Sequence, residues 1–217
     1  MTTADRAAVR VEITLDLTCV HSYLGFTRFE RAARRHRDTG GTLDVTFLPF
    51  RVSPDAPAAG RPLSEVHAEF FGSAENAARA TAGMAETGAR EGLEFDFARA
   101  VHVDTFEAHR LLAAAGEQAL AEPMAERLFR AYLTDGLNIG DAATLTRLAA
   151  EIGVRRAETG PEADAEASRL RAELDRVRAL GVRSVPLFRF EGAGLLSGAQ
   201  PEEAFRRAIE TAARNGG

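Results

Sequence analysis

The chain has 217 residues, of which 45% are hydrophobic and 27% charged, and a formal net charge of −5. That is the balance of a folded globular protein, long enough for one domain with an insertion or two small domains on a shared core. It argues against a nucleic-acid partner, and no run approaches the roughly 18 apolar residues of a membrane helix. Met1 to Arg10 lacks an apolar core, which predicts no secretory signal and a cytoplasmic protein whose thiol stays reduced. All 27 basic residues are Arg, and a chain without Lys excludes Schiff-base chemistry.

The β-branched, apolar stretch 11–17 predicts a first strand, and the spacing of Leu24, Phe26, Phe29, Ala32 and Ala33 predicts a helix over 22–37. Arg31, Arg34, Arg35 and Arg37 read as the solvated face of that helix. A turn at 38–41 leads to a buried strand at 43–50, and residues 53–62 form a Pro- and Gly-rich loop. No convincing strand occurs from 63 to about 159; the pattern predicts helices over 63–70, 74–91, 104–120, 122–134 and 141–152. Asp141 reads as an N-cap, and Glu91, Glu94 and Asp96 as an acidic turn that only meets solvent. A helix over 161–180 stops at Gly181. A strand at 185–190 opens with Val185-Pro186, a turn at 192–194 leads to a short strand at 195–197, and a helix over 201–214 opens on Pro201. Both chain ends therefore supply strands to one mixed sheet, and an all-helical segment lies between them.

Cys19 is the only cysteine, and it sits where the first strand gives way to the first helix in Cys19-Val20-His21-Ser22. A thiol at a helix start faces the positive end of the macrodipole, and a protonated His21 close by would add to that, so a lowered thiol pKa is expected. The bland alternative is a small buried hydrophobe. Ser22 stands where a second sulfur would complete a dithiol motif, so no internal disulfide can form.

Strand, Cys-x-x, helix and a later hairpin opening with Val-Pro resemble the parts of a thioredoxin fold, and the helical segment resembles the FrnE-like branch of the DsbA family. The resemblance rests on Asp16 to Gly25, Pro49-Phe50 with Pro54, Thr105 with Ala108-His109-Arg110, Leu128-Phe129 with Ala131-Tyr132, Gly181-Val182 with Val185-Pro186 and Phe188, and Ser197 to Gln200. It implies an α/β, thioredoxin-like fold interrupted by an all-helical insertion, with 1–61 and 160–217 as the thioredoxin-like domain and 62–159 as the inserted helical domain. It implies a cis Val185–Pro186 bond beside Cys19, whose backbone would meet an extended ligand. Catalytic roles are expected for Cys19, His21 and Ser22, and substrate contacts for Tyr23, Phe50, Thr105, His109, Val185 and Pro186. His109 can equally be read as a buried ring bonded to backbone. No metal site is expected, since no histidine pair or second cysteine has ligand spacing.

The departure at Ser22 removes the family's resolving sulfur and with it a dithiol oxidase role. Three readings remain. Cys19 adds to a conjugated small molecule, such as a polyketide-type intermediate, and allows cis–trans isomerisation; the related 2-hydroxychromene-2-carboxylate isomerases carry Ser at this cysteine's place and use bound glutathione. Alternatively, Cys19 is a monothiol oxidoreductase working with a low-molecular-weight thiol, the one cofactor the reading admits. The third reading is a ligand-binding member without catalysis. A small-molecule substrate is expected, without nucleic acid or membrane, and a homodimer is compatible with each reading.

Overall fold

The computed structural model describes residues 8–57 and 59–216. The expectation for the N-terminal segment lies, up to residue 7, outside them. In chain order the elements are β1 (Val9–Leu15), α1 (Val20–Asp38), β2 (Leu43–Pro49), β3 (Arg61–Pro62), α2 (Leu63–Phe71), α3 (Ala74–Arg90), β4 (Val101–His102), α4 (Phe106–Gly116), α5 (Ala121–Leu133), α6 (Ala142–Ile152), α7 (Pro161–Ala179), β5 (Leu187–Phe190), β6 (Gly194–Ser197) and α8 (Glu202–Asn215).

The main sheet runs β2-β1-β5-β6, with β1 parallel to β2 and antiparallel to β5. As an inner strand β1 has Val9, Val11, Ile13 and Leu15 buried. On its other face Glu12 stands in register with Arg189 of β5 and pairs with it at 2.8 Å, a cross-strand contact of the kind that fixes register. The mixed sheet built from both chain ends is as the sequence predicts. β1 starts two residues earlier than the apolar run suggests, because Val9 still pairs with Leu43.

Helix α1 is the hub. Phe29 meets Phe188, Phe190 and Phe205, with centroids 5.7, 6.3 and 6.1 Å away, and so joins α1 to β5 and α8. Phe26 contacts Phe47 of β2 and Phe129 of α5, while Tyr23 stacks on Phe129 at 4.9 Å. One continuous buried cluster therefore includes strand residues and Leu111, Met124, Leu128, Phe129 and Leu148 of the intervening helices. Gly25 lets α1 approach the β5 end: a Cβ there would stand 3.0 Å from Pro186 Cγ and 3.3 Å from the Phe188 ring.

Four expectations need correction. The segment 63–159 is not free of strand, because β4 pairs with β3 just before it, Arg61 facing His102 and Pro62 facing Val101. Two-residue strands are too short to carry a period. The helix read over 104–120 spans only Phe106–Gly116: Asp104 Oδ1 accepts the Phe106 N–H at 2.9 Å, and Leu120 N–H closes the far end on Ala115 O. Nor does the acidic turn merely meet solvent. Glu91 is gripped by Arg28 and Arg31 of α1, at 2.6 Å each, and so ties the end of α3 to the hub helix. Arg37 likewise reaches Glu122 of α5, so the arginine face of α1 is largely spent on neighbouring helices. Asp141 caps α6 as read, accepting the Thr144 N–H at 2.8 Å.

Candidate active site

Cys19 is the N-cap residue of α1, in extended conformation, and its side chain makes no capping bond. The sulfur instead lies 3.9 Å from the carbonyl oxygen of Val185, to which the S–H donates a weak hydrogen bond. The Val185–Pro186 peptide is cis, Pro186 is buried, and its carbonyl accepts the Gly198 N–H at 2.8 Å. The sequence brought these parts together correctly: thiol, helix start and Val-Pro loop form one site.

The charge state differs from expectation. Burial pushes the Cys19 thiol up from its ordinary value, and the Asp16 carboxylate adds to the rise. Ser22, through hydroxyl and backbone, and the His21 backbone N–H pull the other way without overcoming them. The His21 ring is exposed and has no hydrogen-bond or ion-pair partner among the described residues, so it acts on the sulfur only through its backbone. The lowered pKa predicted from helix start and His21 is thereby overturned. The resting group is a thiol, because the half-buried sulfur is partly withdrawn from water and the buried Asp16 anion is near it. Ser22 Oγ is fully buried and makes no hydrogen bond of normal geometry, so facing the sulfur is its main polar contact.

That anion is the group the sequence reading did not single out as functional. Asp16 follows β1 directly and is 1% exposed. Its Oδ2 accepts the Val52 N–H at 2.7 Å and the Thr18 hydroxyl at 3.3 Å. Oδ1 has only His109 Nε2 at 3.5 Å, beyond normal hydrogen-bond distance. The same nitrogen is 2.9 Å from the Phe50 carbonyl oxygen, so it carries the hydrogen. Burial disfavours ionising Asp16, but the adjacent His109 ring, the Val52 N–H and Thr105 together outweigh it. Its carboxyl is held below the usual carboxylate range. Thr105 and His109, four apart on the opening of α4, both face Asp16, and that spacing opposite an acid three residues before the cysteine was the available signal.

The remaining predicted contacts sort by what they touch. His109 is buried and bound to backbone, the blander of its two readings, with Asp16 as a second neighbour. Thr105 is buried and faces Asp16, and Phe50 contributes its backbone carbonyl. The buried Thr105 and His109 side chains are turned toward Asp16, while Phe50 is half-buried. Tyr23 is likewise 2% exposed, stacked on Phe129, with its hydroxyl donating to Glu126 Oε1 at 2.7 Å, so its expected substrate contact gives way to packing between α1 and α5. Val185 and Pro186 do border the sulfur.

The family described as DSBA-like thioredoxin domain matches residues 10–210. Among solved structures, a probable DsbA oxidoreductase from Streptomyces coelicolor is 30% identical, with a TM-score of 0.79 and coverage of 94% of this chain and 89% of that one. The cytosolic disulfide reductase DsbM from Pseudomonas aeruginosa is 23% identical, with a TM-score of 0.63 and coverage of 94% and 98%. A 2-hydroxychromene-2-carboxylate isomerase shares 14% identity, with a TM-score of 0.65 over 93% and 94% of the two chains. The last two likenesses are of fold.

Proposed function

This chain belongs to the DSBA-like thioredoxin domain family, and we propose that it is a thiol-dependent enzyme acting through one sulfur, Cys19, to isomerise a conjugated small molecule. The observation that carries the reading is the pairing of a sole free thiol with a buried Ser22 hydroxyl where a resolving sulfur would stand. The chain cannot close an internal disulfide, whereas addition and elimination need one sulfur only.

The resting thiol has to give up its proton as it attacks, because the thiolate is the nucleophile. Sγ forms a bond to the β-carbon of a conjugated carbonyl compound, the π pair moves onto the carbonyl oxygen as an enolate, and the thiol proton transfers to that oxygen. The former double bond, now single, rotates. The enol then gives its proton back as the S–C bond breaks, leaving thiol and isomerised product with no electrons gained or lost. Ser22 Oγ supports the sulfur while it is an anion, and Asp16, ionised behind it, favours return of the proton. A substrate of the polyketide-intermediate kind fits the requirement for conjugation. The compartment proposed is the cytoplasm, where a lone thiol stays reduced; no helix of the described residues is long and apolar enough to cross a membrane.

A monothiol exchange reaction is the second reading. It is favoured by the 30% identity to a probable DsbA oxidoreductase, and the DsbM fold has also been solved with GSH. One set of assays separates the two. Native protein should isomerise a conjugated ketone or thioester and be nearly silent in insulin reduction, Cys19→Ser should fall to background, and Ser22→Cys should gain insulin reduction and lose isomerisation until reductant is added. Efficient insulin reduction by the native chain with a small thiol present would hand the site to the redox reading, and full isomerase activity in Cys19→Ser would remove the thiol from the mechanism.

A further inference from the structure

Beside the site, an open cleft of about 450 Å³ lies between the segment after β2, the start of α4 and the outer side of α7. Its apolar surfaces are Phe106 and Leu174, both partly exposed. Three guanidinium groups line it, from Arg51, Arg171 and Arg178, against two carboxylates, from Asp104 and Asp175. The carboxylates are already used. Asp104 takes Arg51 at 2.7 Å and also accepts the Phe106 N–H, while Asp175 takes Arg178 at 3.1 Å. Arg171 is the remaining cation: it makes no ion pair among the described residues, and its guanidinium sits over the Phe106 ring, 5.1 Å from the centroid. Arg51 approaches the same ring at 5.9 Å, and its Nε is buried without a hydrogen-bond partner. A guanidinium stacked on an aromatic face keeps its edge donors free, in the fork geometry that matches a carboxylate.

The cleft is joined to the thiol by short steps. Arg51 lies between Phe50, whose carbonyl takes His109, and Val52, whose N–H is bound by Asp16, and Asp16 O accepts the Cys19 N–H at 3.1 Å. Asp104 and Phe106 flank Thr105, which also faces Asp16. The cleft, with its apolar wall and one cation without an ion pair among the described residues, thus shares the 50–52 segment and Thr105 with the structure that surrounds Asp16.

We propose that this cleft binds a carboxylate on the small molecule that reacts at Cys19, with Arg171 as the determinant of that preference. The inference rests on the thiol reading above and adds the charge class of its substrate.

The test uses two disulfide probes on the full chain: 5,5′-dithiobis-(2-nitrobenzoate), which carries carboxylates, and neutral 2,2′-dithiodipyridine. In each reaction the Cys19 thiolate attacks one probe sulfur, a mixed disulfide forms, one aryl thiolate leaves, and the thiol proton goes to water. Arg171→Glu should slow the carboxylated probe by about tenfold or more, with a salt-sensitive rate, and leave the neutral probe within about twofold. Arg147→Glu, an equal charge change on α6, should leave both unchanged. Equal slowing by the two variants, or equal responses of the two probes, would overturn the proposal. If the neutral probe fails to label Cys19 in native protein, the thiol reading falls instead, and the cleft is then judged by calorimetric binding of trans-cinnamate to Cys19→Ser. Loss of that binding with added Arg171→Glu, and none to neutral cinnamamide, upholds the cleft; unchanged or absent cinnamate binding overturns it.

Discussion

Asp16 and Glu30 belong to the same opening strand–helix unit, and both are carboxyls withdrawn from solvent, yet their surroundings drive them in opposite directions. Asp16 meets donors: the Val52 N–H, the Thr18 hydroxyl and, beyond them, His109 and Thr105. It stays ionised despite burial. Glu30, on the α1 face toward α5, meets another acid. Burial first, then the hydrogen bond and charge of Glu122, push its carboxyl up to about 8, against the opposing pull of Arg37 and Arg34. Glu122 is itself held by Arg37 at 2.7 Å, so the arginine serves the partner more than Glu30. Burial alone does not decide a charge state; the donors around it do. The same rule explains the thiol, which is buried like Glu30 and lies next to the anion that Asp16 remains.

The largest effect should come from taking Asp16 away. Asp16→Ala leaves the Val52 N–H and the His109 side of the site without their acceptor, at a cost of about 3 kcal/mol in urea unfolding. Asp16→Asn keeps the shape and removes the charge. Its thiol should alkylate faster at pH 7 to 8, with a midpoint below that of the native chain, because the anion behind the sulfur is gone. A native midpoint below about 8.5, or no shift in Asp16→Asn, would break the contrast drawn here. Since the Asp16 pKa is depressed on folding, its contribution is present above the unfolded carboxylate pKa and is lost as pH falls through the lower folded value.

How far this was legible in the sequence follows from the range of the forces involved. The strand-to-helix junction at Cys19, the Val-Pro loop and the mixed sheet were readable because each leaves a periodic or motif signal over neighbouring residues. Glu91 was not: its partners Arg28 and Arg31 are some sixty positions away, and an acidic turn looks the same whether or not cations approach it. The β3–β4 pair is too short for a period. The thiol's charge state failed for a related reason. Helix start is a local cue that favours the anion, but the Val185–Pro186 loop beside the sulfur arrives from the far end of the chain. Tyr23 lies in the motif beside the cysteine, and only the docking of α5 reveals that its ring faces Phe129.

Next in size is Glu30. Its folded pKa is raised, so the folded state binds more protons than the unfolded one between the two values, and stability falls as pH climbs from about 4.5 toward about 8. Glu30→Gln stays neutral, can still donate to Glu122, and should flatten that slope. At pH 8.5 it should be more stable than the native chain by about 1 kcal/mol, roughly 2–4 °C in melting temperature for a chain of this size. At pH 4 the two should coincide. A Glu30→Gln chain less stable at both pH values would mean that Glu30 is ionised and paired, as Asp16 is.

The smallest effect should be that of Tyr23, one and a half to two turns before Glu30 on α1. Its hydroxyl donates to Glu126 on α5, and burial together with the Glu126 charge raises the phenol well above its ordinary value, so it remains a donor throughout the accessible pH range. Tyr23→Phe keeps the ring stacked on Phe129 and deletes only that donor. Glu126 is exposed, so water replaces the lost partner instead of leaving a buried charge bare. The cost should therefore be only about 0.5–1 kcal/mol, seen as a lower urea midpoint with unchanged slope. Glu126→Gln should lose about as much, and the double variant little more than either alone, which a double-mutant cycle would show as a coupling between the two. If Tyr23→Phe instead left stability intact and weakened substrate turnover, the phenol would belong to the cleft and not to the seam.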